Sequence, residues 1–312
     1  MTSRPASPLL LTAAFLVLAG PAAARTEDPV RMLEPPPPGE AREPRAVVRF
    51  APDRFDDILW ENDRTAQRIY GPALQRQEPP SSSGIDVWAK RVRWPFMDRQ
   101  LQTGNYHIDR GEGQDHYNVG GARGAGGLGI WQDDKLWVSR NFADHEIIQN
   151  GPDVARFRVD YAPWPVGVDR AVWESRTFTL PLGTNFTRMV STLESDGDEP
   201  LIVGIGIARR VIDGDRGVIR RDAERGVLAF WEPDHPDHGA MGVAVMVDPD
   251  MIVDFQDDAD NYLVLLRVTP GEPFVYYTGS AWDRGLDFSS REEWDAYVDA
   301  QTPDFDPTTV PE

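Results

Sequence analysis

Apolar residues recur at every second position through most of this chain, and that period limits what it can become. It runs through ARFRVDYA at 155 to 162, AVWESRTFTL at 171 to 180, GVLAFWE at 226 to 232, MGVAVMV at 241 to 247 and NYLVLLRV at 261 to 268. Residues two apart share one face of a strand, and β-branched and aromatic side chains fill these runs between Gly, Pro, Asp and Asn. No internal repeat is visible, which argues against a propeller or solenoid. The pattern predicts an all-β chain folded as a large antiparallel β-sandwich.

One stretch departs from it. Ser290 and Glu293 have capping-box spacing ahead of Trp294, Tyr297 and Val298, which predicts a short C-terminal helix. The turn-forming stretches SDGDEP (195 to 200) and IDGDRG (212 to 217) read as hairpin connections, and IWQDDKLWVS (130 to 139) reads as a hairpin.

Three segments are expected. Arg4, the apolar run Leu9 to Leu18 and the small residues Ala22 and Ala24 make a secretory signal peptide over 1 to 24, cleaved after Ala24. Residues 25 to 44, with Pro35 to Pro38, read as a Pro-rich disordered leader. Residues 45 to 312 read as a single β-sandwich domain.

Without cysteine there is neither a disulfide framework nor a thiol for lipid attachment, so a periplasmic or secreted protein is expected. The formal charge of −19 is spread along the chain, which disfavours nucleic acid and anionic membrane as partners because both need a basic footprint. A small anionic ligand needs only a few converging Arg and Lys. Oligomeric state leaves no signature in the sequence.

Two of the five His fall in NYHIDRGEGQDHYNVG at 105 to 120. A merely solvating loop is usually Ser, Asn, Lys and Glu, whereas this one holds Tyr106, His107, Asp109, Arg110, Glu112, Asp115, His116 and Tyr117. Histidine transfers protons near neutral pH, tyrosine is a plausible acid beside a cation, and Glu112 can orient either. The plainer alternative is that the tyrosines pack and the histidines are solvated.

GARGAGGLG at 121 to 129 contains a literal G-x-G-x-x-G, but a dinucleotide site needs a strand before it and a helix after. Here a polar segment precedes and a hairpin follows, so the glycines are read as allowing close backbone approach, with Arg123 among them as a cation at a cleft floor. No cofactor is called for. His235, Asp237 and His238 in EPDHPDHG lack regular ligand spacing, and no metal is assigned. DFQDDADN at 254 to 261 reads as a solvated hairpin and not a calcium loop.

In the segment 84 to 95, Asp86, Trp88 and Lys90 share one strand face and Val87 and Ala89 the other. With Val87 and Ala89 inward, Trp88 and Lys90 face a groove, where an indole can stack on a sugar ring. NDR at 62 to 64 reads as a turn. Arg68 in the strand after it needs a partner, which the sequence offers as Glu61 or as a ligand. YYTGSAWDRG at 276 to 285 reads as a loop that brings Tyr277 and Trp282 to the same rim.

The blocks RFAPDRFDDILWENDRTAQRIYGPAL, SSSGIDVWAKRVRWP, YHIDRGEGQDHYNVGGARGAGGLGIW, YAPWPVG and YYTGSAWDRGLDFSSREEWDAYV together resemble the bacterial domain family DUF4861, in order from about Arg49 to Val298. The resemblance implies a galactose-mutarotase-like supersandwich, and a secreted companion of pectin and other uronate-polymer breakdown systems. It brings no established catalytic residues.

Residues and resemblance together predict a carbohydrate-active enzyme on acidic oligosaccharides, a lyase working by β-elimination. That reaction needs a cation at the carboxylate, a base and an acid. These are assigned to Arg123 with Arg68 or Lys90, to His107 or His116, and to Tyr106 or Tyr117. Asp109, Trp88, Tyr277 and Trp282 would complete the sugar site. Hydrolysis by Glu112 with Asp115 or Asp109, a non-catalytic sugar-binding module and a mutarotase are the alternatives.

Overall fold

The computed structural model describes residues 42–77 and 82–311. The expected signal peptide, and the expected leader up to residue 41, lie outside the described residues.

Strands Val47–Ala51 (β1), Asp57–Glu61 (β2), Ala66–Ile69 (β3), Ile85–Lys90 (β4) and Gly113–Gln114 (β5) form an antiparallel sheet in that order. Helix Pro72–Gln77 (α1) falls between β3 and β4, and helix Met97–Gln102 (α2) between β4 and β5. Next come Ala125–Gln132 (β6), Lys135–Trp137 (β7), Asp144–Asn150 (β8), Val154–Val166 (β9), Arg170–Pro181 (β10), Phe186–Ser195 (β11) and Leu201–Ala208 (β12). The chain continues through Val218–Asp222 (β13), Val227–Trp231 (β14), Met241–Val247 (β15), Ile252–Asp257 (β16), Asn261–Val268 (β17) and Pro273–Trp282 (β18), and ends in helix Arg291–Asp299 (α3).

An eight-stranded sheet runs β13-β14-β15-β18-β11-β10-β9-β8, and a five-stranded one β16-β17-β12-β6-β7. Every strand pairing is antiparallel, apart from a parallel bridge, Ile85 to Gly124, that joins the two five-stranded sheets edge to edge. Both lie on one face of the eight-stranded sheet. On that face Tyr276 Oη donates to Gly126 O at 3.1 Å, Thr278 Oγ1 to Ala125 O at 2.6 Å, and Trp60 Nε1 to Thr187 Oγ1 at 3.0 Å. The main core fills the space between, with Phe157, Phe178 and Met189 against Trp60, and Val243 and Val245 in the same cluster as Ile205 and Val264. The expected large antiparallel β-sandwich is the architecture found.

The C-terminal helix forms as predicted: Ser290 Oγ accepts from Glu293 N, and Trp294 and Val298 cover Ala244, Met246 and Ala281 on the outer face of the eight-stranded sheet. IWQDDKLWVS is the β6–β7 hairpin, turned by Asp133 and Asp134 at positive φ, and DFQDDADN is the β16–β17 hairpin. SDGDEP is not a hairpin turn, and IDGDRG makes a tight two-residue turn, with Ile212 and Asp215 in an antiparallel bridge, that does not join two neighbouring strands of one sheet. The first carries the chain from β11 to β12 and the second from β12 to β13, so both cross between the eight-stranded sheet and a five-stranded one.

The β1–β5 sheet is buried on both faces, because α2 and the segment after β4 lay Val92, Phe96 and Met97 over Ala51, Leu59, Ala66 and Trp88. That third layer is invisible to a period-two reading, and it overturns the groove-facing role expected of Trp88. The indole is 1% exposed and stacked on Tyr106 with ring centroids 5.4 Å apart.

The glycine cluster serves close backbone approach. Gly124 sits at φ +63° where a Cβ would stand 2.0 Å from Ile85 O, and a strand, not a helix, follows. No dinucleotide fold is present around it.

Candidate functional site

The segment from Thr103 to Gly124 is tied down at many points. Asp115 N donates to Tyr106 O at 2.9 Å and closes it into a loop, Gln100 Nε2 holds Ile108 O at 2.6 Å, and Asp109 Oδ1 accepts from Gly111 N and Gly113 N. Its acidic and basic side chains therefore have fixed directions.

Tyr106 lies against Trp88 beneath the loop, and its Oη accepts from Arg54 Nη2 at 2.9 Å. His107 stands next to it, ring centroids 4.3 Å apart, with 58% of its side chain exposed. His107 Nδ1 is 2.7 Å from the carbonyl of Asp115, which fixes the proton on Nδ1 and leaves Nε2 as an outward lone pair.

Asp115 and His116 point to opposite sides. The Asp115 carboxylate enters a buried cluster in which Arg68 Nη2 donates to Asp86 Oδ2 at 2.5 Å and to Asp115 Oδ2 at 2.9 Å, with Asp57 at 4.0 Å. Burial pushes Asp57 up to about 6, and burial with the neighbouring Asp115 pushes Asp86 up to about 7. Arg68 thus pairs with Asp86 and Asp115 and not with Glu61, and a ligand cannot reach it.

His116 turns instead toward the 232 to 240 loop. Its ring stacks on His238 at 5.4 Å and lies 6.2 Å from Trp282, and His238 in turn stacks on His235 at 4.6 Å. The loop is clamped by Arg284, whose Nη1 donates to Asp237 O at 2.6 Å, and by Trp282 Nε1 to His238 O at 2.7 Å. Arg210 donates to the carbonyls of His116 and Asn118 and pairs with Glu232 at 2.8 Å. Arg91 lies 4.5 Å over the Trp282 ring and pairs with Asp109 at 3.0 Å.

Neither ring nitrogen of His116 has a hydrogen-bond partner. Burial pushes its pKa down to about 3, and His238, Arg210, His235 and Arg284 all push the same way. Of these neighbours, Arg210 is itself paired with Glu232. His107 is among the cationic neighbours that lower His238, so the four histidines lie within electrostatic reach of one another.

Of the residues expected from the sequence, His107, His116, Asp109 and Trp282 meet here, with Tyr106 directly beneath. The others do not. Tyr117 is 1% exposed, and its Oη donates to Gly124 O while burial raises its pKa, so it is a packing residue and not an acid. Arg123 is fully buried, bonded to Ser83 Oγ and Leu128 O, and burial beside Arg176 lowers it to about 10. It cannot meet a substrate carboxylate.

Lys90 is closed into a pair with Glu61 at 2.6 Å, and Glu112 is held by Arg99 and by Trp94 Nε1. Residues 276 to 282 belong to strand β18 and not to a loop. Tyr277 therefore faces the side opposite Trp282, where its Oη donates to Asp304 O.

His235 and His238 carry in sequence only the weak metal-ligand signal of EPDHPDHG, Arg284 belongs to the 276 to 285 stretch that the sequence places at this rim, and Arg91 and Arg210 have no signal beyond their charge. No group of three or more metal-ligating side chains occurs among the described residues.

The profile of DUF4861, a domain of unknown function, matches residues 34–310, and the chain belongs to that family. A relative from Formosa agariphila, named uncharacterized protein P7, is 33% identical over 267 residues. That alignment covers 80% of this chain and 65% of the relative's own length. The galactosidase domain of an α-galactosidase–sucrose kinase matches 75% of this chain and 42% of that one at 8% identity, with a TM-score of 0.32. That similarity is too loose to align one site on the other.

Proposed function

We propose that this DUF4861 protein is a carbohydrate-active enzyme that cleaves acidic oligosaccharides by β-elimination at the cluster of His107, His116 and the 232 to 240 loop. The observation that carries the reading is His116: a largely buried, neutral imidazole with both nitrogens unpartnered, beside Arg210, Arg284 and two histidines, with Glu232 committed to Arg210. A uronate carboxylate is the ligand we assign to this cationic surrounding.

In the reaction, His107 Nε2 takes the proton from C5 of the uronate, the electron pair forms the C4=C5 double bond, and the C4–O bond breaks. The leaving oxygen takes a proton from Tyr106, whose hydroxyl accepts from Arg54 and so keeps its own proton to give. Arg210 and Arg284 replace Arg123 as the neutralising cations, which lowers the cost of charge building on the carboxylate. The acids needed for hydrolysis are each engaged elsewhere: Glu112 by Arg99, Asp109 by Arg91 and Asp115 by Arg68.

The test is ultraviolet absorbance of unsaturated product on incubating the protein with pectic, rhamnogalacturonan, alginate and glucuronan oligosaccharides. A rise that His107→Ala abolishes supports the reading. Shortened products without that absorbance would mean hydrolysis, and unchanged oligosaccharides would leave a binding module or mutarotase.

A further inference from the structure

We propose that a second, arginine-lined groove along β1 and α2 binds the extended chain of an anionic oligosaccharide, so that the substrate carries carboxylate or sulfate groups on several successive sugars. The proposal rests on the reading of the His107 cluster as a sugar site. Two cavities make the groove. One, of about 440 Å³, has Val47, Leu59, Pro95 and Met97 among its apolar lining residues, with Arg45, Arg49 and Arg99 as its cations. The other, of about 260 Å³, is lined by Arg54, Leu101 and Tyr106. Arg49 and Asp98 line both cavities, so the two lie side by side along β1 and α2.

The groove ends at the base. Tyr106 lines its second cavity and lies one residue and 4.3 Å, ring to ring, from His107. A chain laid along it would reach the proposed acid and base without leaving the surface. The larger volume falls in the range of about 300–1,000 Å³ usual for ligand sites.

Four arginines, at 45, 49, 54 and 99, face this groove in a chain whose overall charge is −19. Arg45 has no hydrogen bond or ion pair among the described residues. Glu61, the buried acid of the lining, is already committed to Lys90 and to the backbone N–H groups of Phe96 and Met97. Arg49 is shared between Asp53 and Asp98, which are largely exposed, and exposed pairs are weak enough for an incoming anion to displace. An apolar strip bordered by guanidinium groups suits a sugar chain: C–H faces pack on the strip, and carboxylate or sulfate oxygens take bidentate N–H bonds.

Calorimetric titration of wild type and Arg45→Glu with a long oligogalacturonate, a digalacturonate, a sulfated oligosaccharide and a neutral oligosaccharide tests it. Arg45 is exposed and unpaired, so its reversal should leave the melting temperature unchanged, and Arg49→Gln serves as a second variant. We expect about tenfold weaker binding of the long anionic chain, equivalent to about 1.4 kcal/mol, with digalacturonate binding unchanged. Arg45-dependent binding of the carboxylated or the sulfated chain sustains the proposal and identifies the anion. Equal binding by wild type and both variants, or equal binding of the neutral chain, overturns it. His107→Ala separates the two readings: loss of turnover with no Arg45 effect removes the groove alone, and an Arg45 effect with turnover intact in His107→Ala removes the histidine mechanism alone.

Discussion

Asp115 and His116 are neighbours in the chain and enter opposite electrostatic worlds. Asp115 joins two other carboxylates around Arg68, a region short of positive charge but closed, whose main contacts are internal ion pairs. His116 joins two histidines and two arginines, a region short of negative charge, where the ring nitrogens have no partner. Both hold titratable groups far from their ordinary pKa, so a shifted pKa alone does not mark the working site. The difference lies in satisfaction: one cluster pairs its charges internally and the other leaves both ring nitrogens of His116 without a partner.

The sharpest way to break that contrast is at His107, which touches both sides through Asp115. His107→Ala removes the proposed base while leaving the closed cluster intact. Its kcat is expected to fall about 10²–10⁴-fold, the usual worth of a positioned general base, with the melting temperature unchanged because the side chain is largely exposed. A fall in melting temperature matching the fall in activity would assign His107 to structure instead.

Arg68→Ala tests the closed side. It leaves Asp57, Asp86 and Asp115 buried without their shared cation, and removing one partner of a buried pair costs about 3–5 kcal/mol. Urea unfolding should show that loss as a lower midpoint. A change below about 1 kcal/mol would mean that the carboxylates simply take up protons, and that the cluster contributes little as ion pairs.

The same contrast explains what could be read in advance. Strands β15 and β17 coincide with MGVAVMV and NYLVLLRV, because short apolar, β-branched runs bounded by turn residues are what a strand buried on both faces requires. Turn chemistry is local, so SDGDEP announced a turn without announcing that the next strand joins another sheet. Trp88 was misplaced because alternation cannot register a third layer above a sheet. The loop holding His107 and His116 stood out by its residue types. Its completion by His235, His238, Arg210 and Arg284 did not, since those residues come from distant strand ends and carry no shared spacing. Arg123 failed for a related reason: glycines that let a backbone approach closely also let the layers shut around the side chain between them.

The smallest effects are the most discriminating, because the two clusters should bend stability in opposite directions with pH. A carboxyl whose folded pKa is raised stabilises the protein below its unfolded value, near 3.8, and that contribution disappears as pH rises through about 6 for Asp57 and about 7 for Asp86. A histidine whose folded pKa is depressed does the reverse. His116 contributes above its ordinary 6.5, and the contribution is lost as pH falls toward about 3. Between pH 5 and pH 8, Asp86→Asn should therefore weaken the carboxyl slope, of which Asp57 keeps its part, and lower the melting temperature at the acid end relative to wild type. His116→Phe should leave the carboxyl slope, with the melting temperature higher there. Each difference should be roughly 2–4 °C per kcal/mol of linkage for a domain of this size, measurable by calorimetry in matched buffers. If both variants tilt the same way, the two regions do not differ in the sense argued here, and the case for His116 as the open side of the pair fails with it.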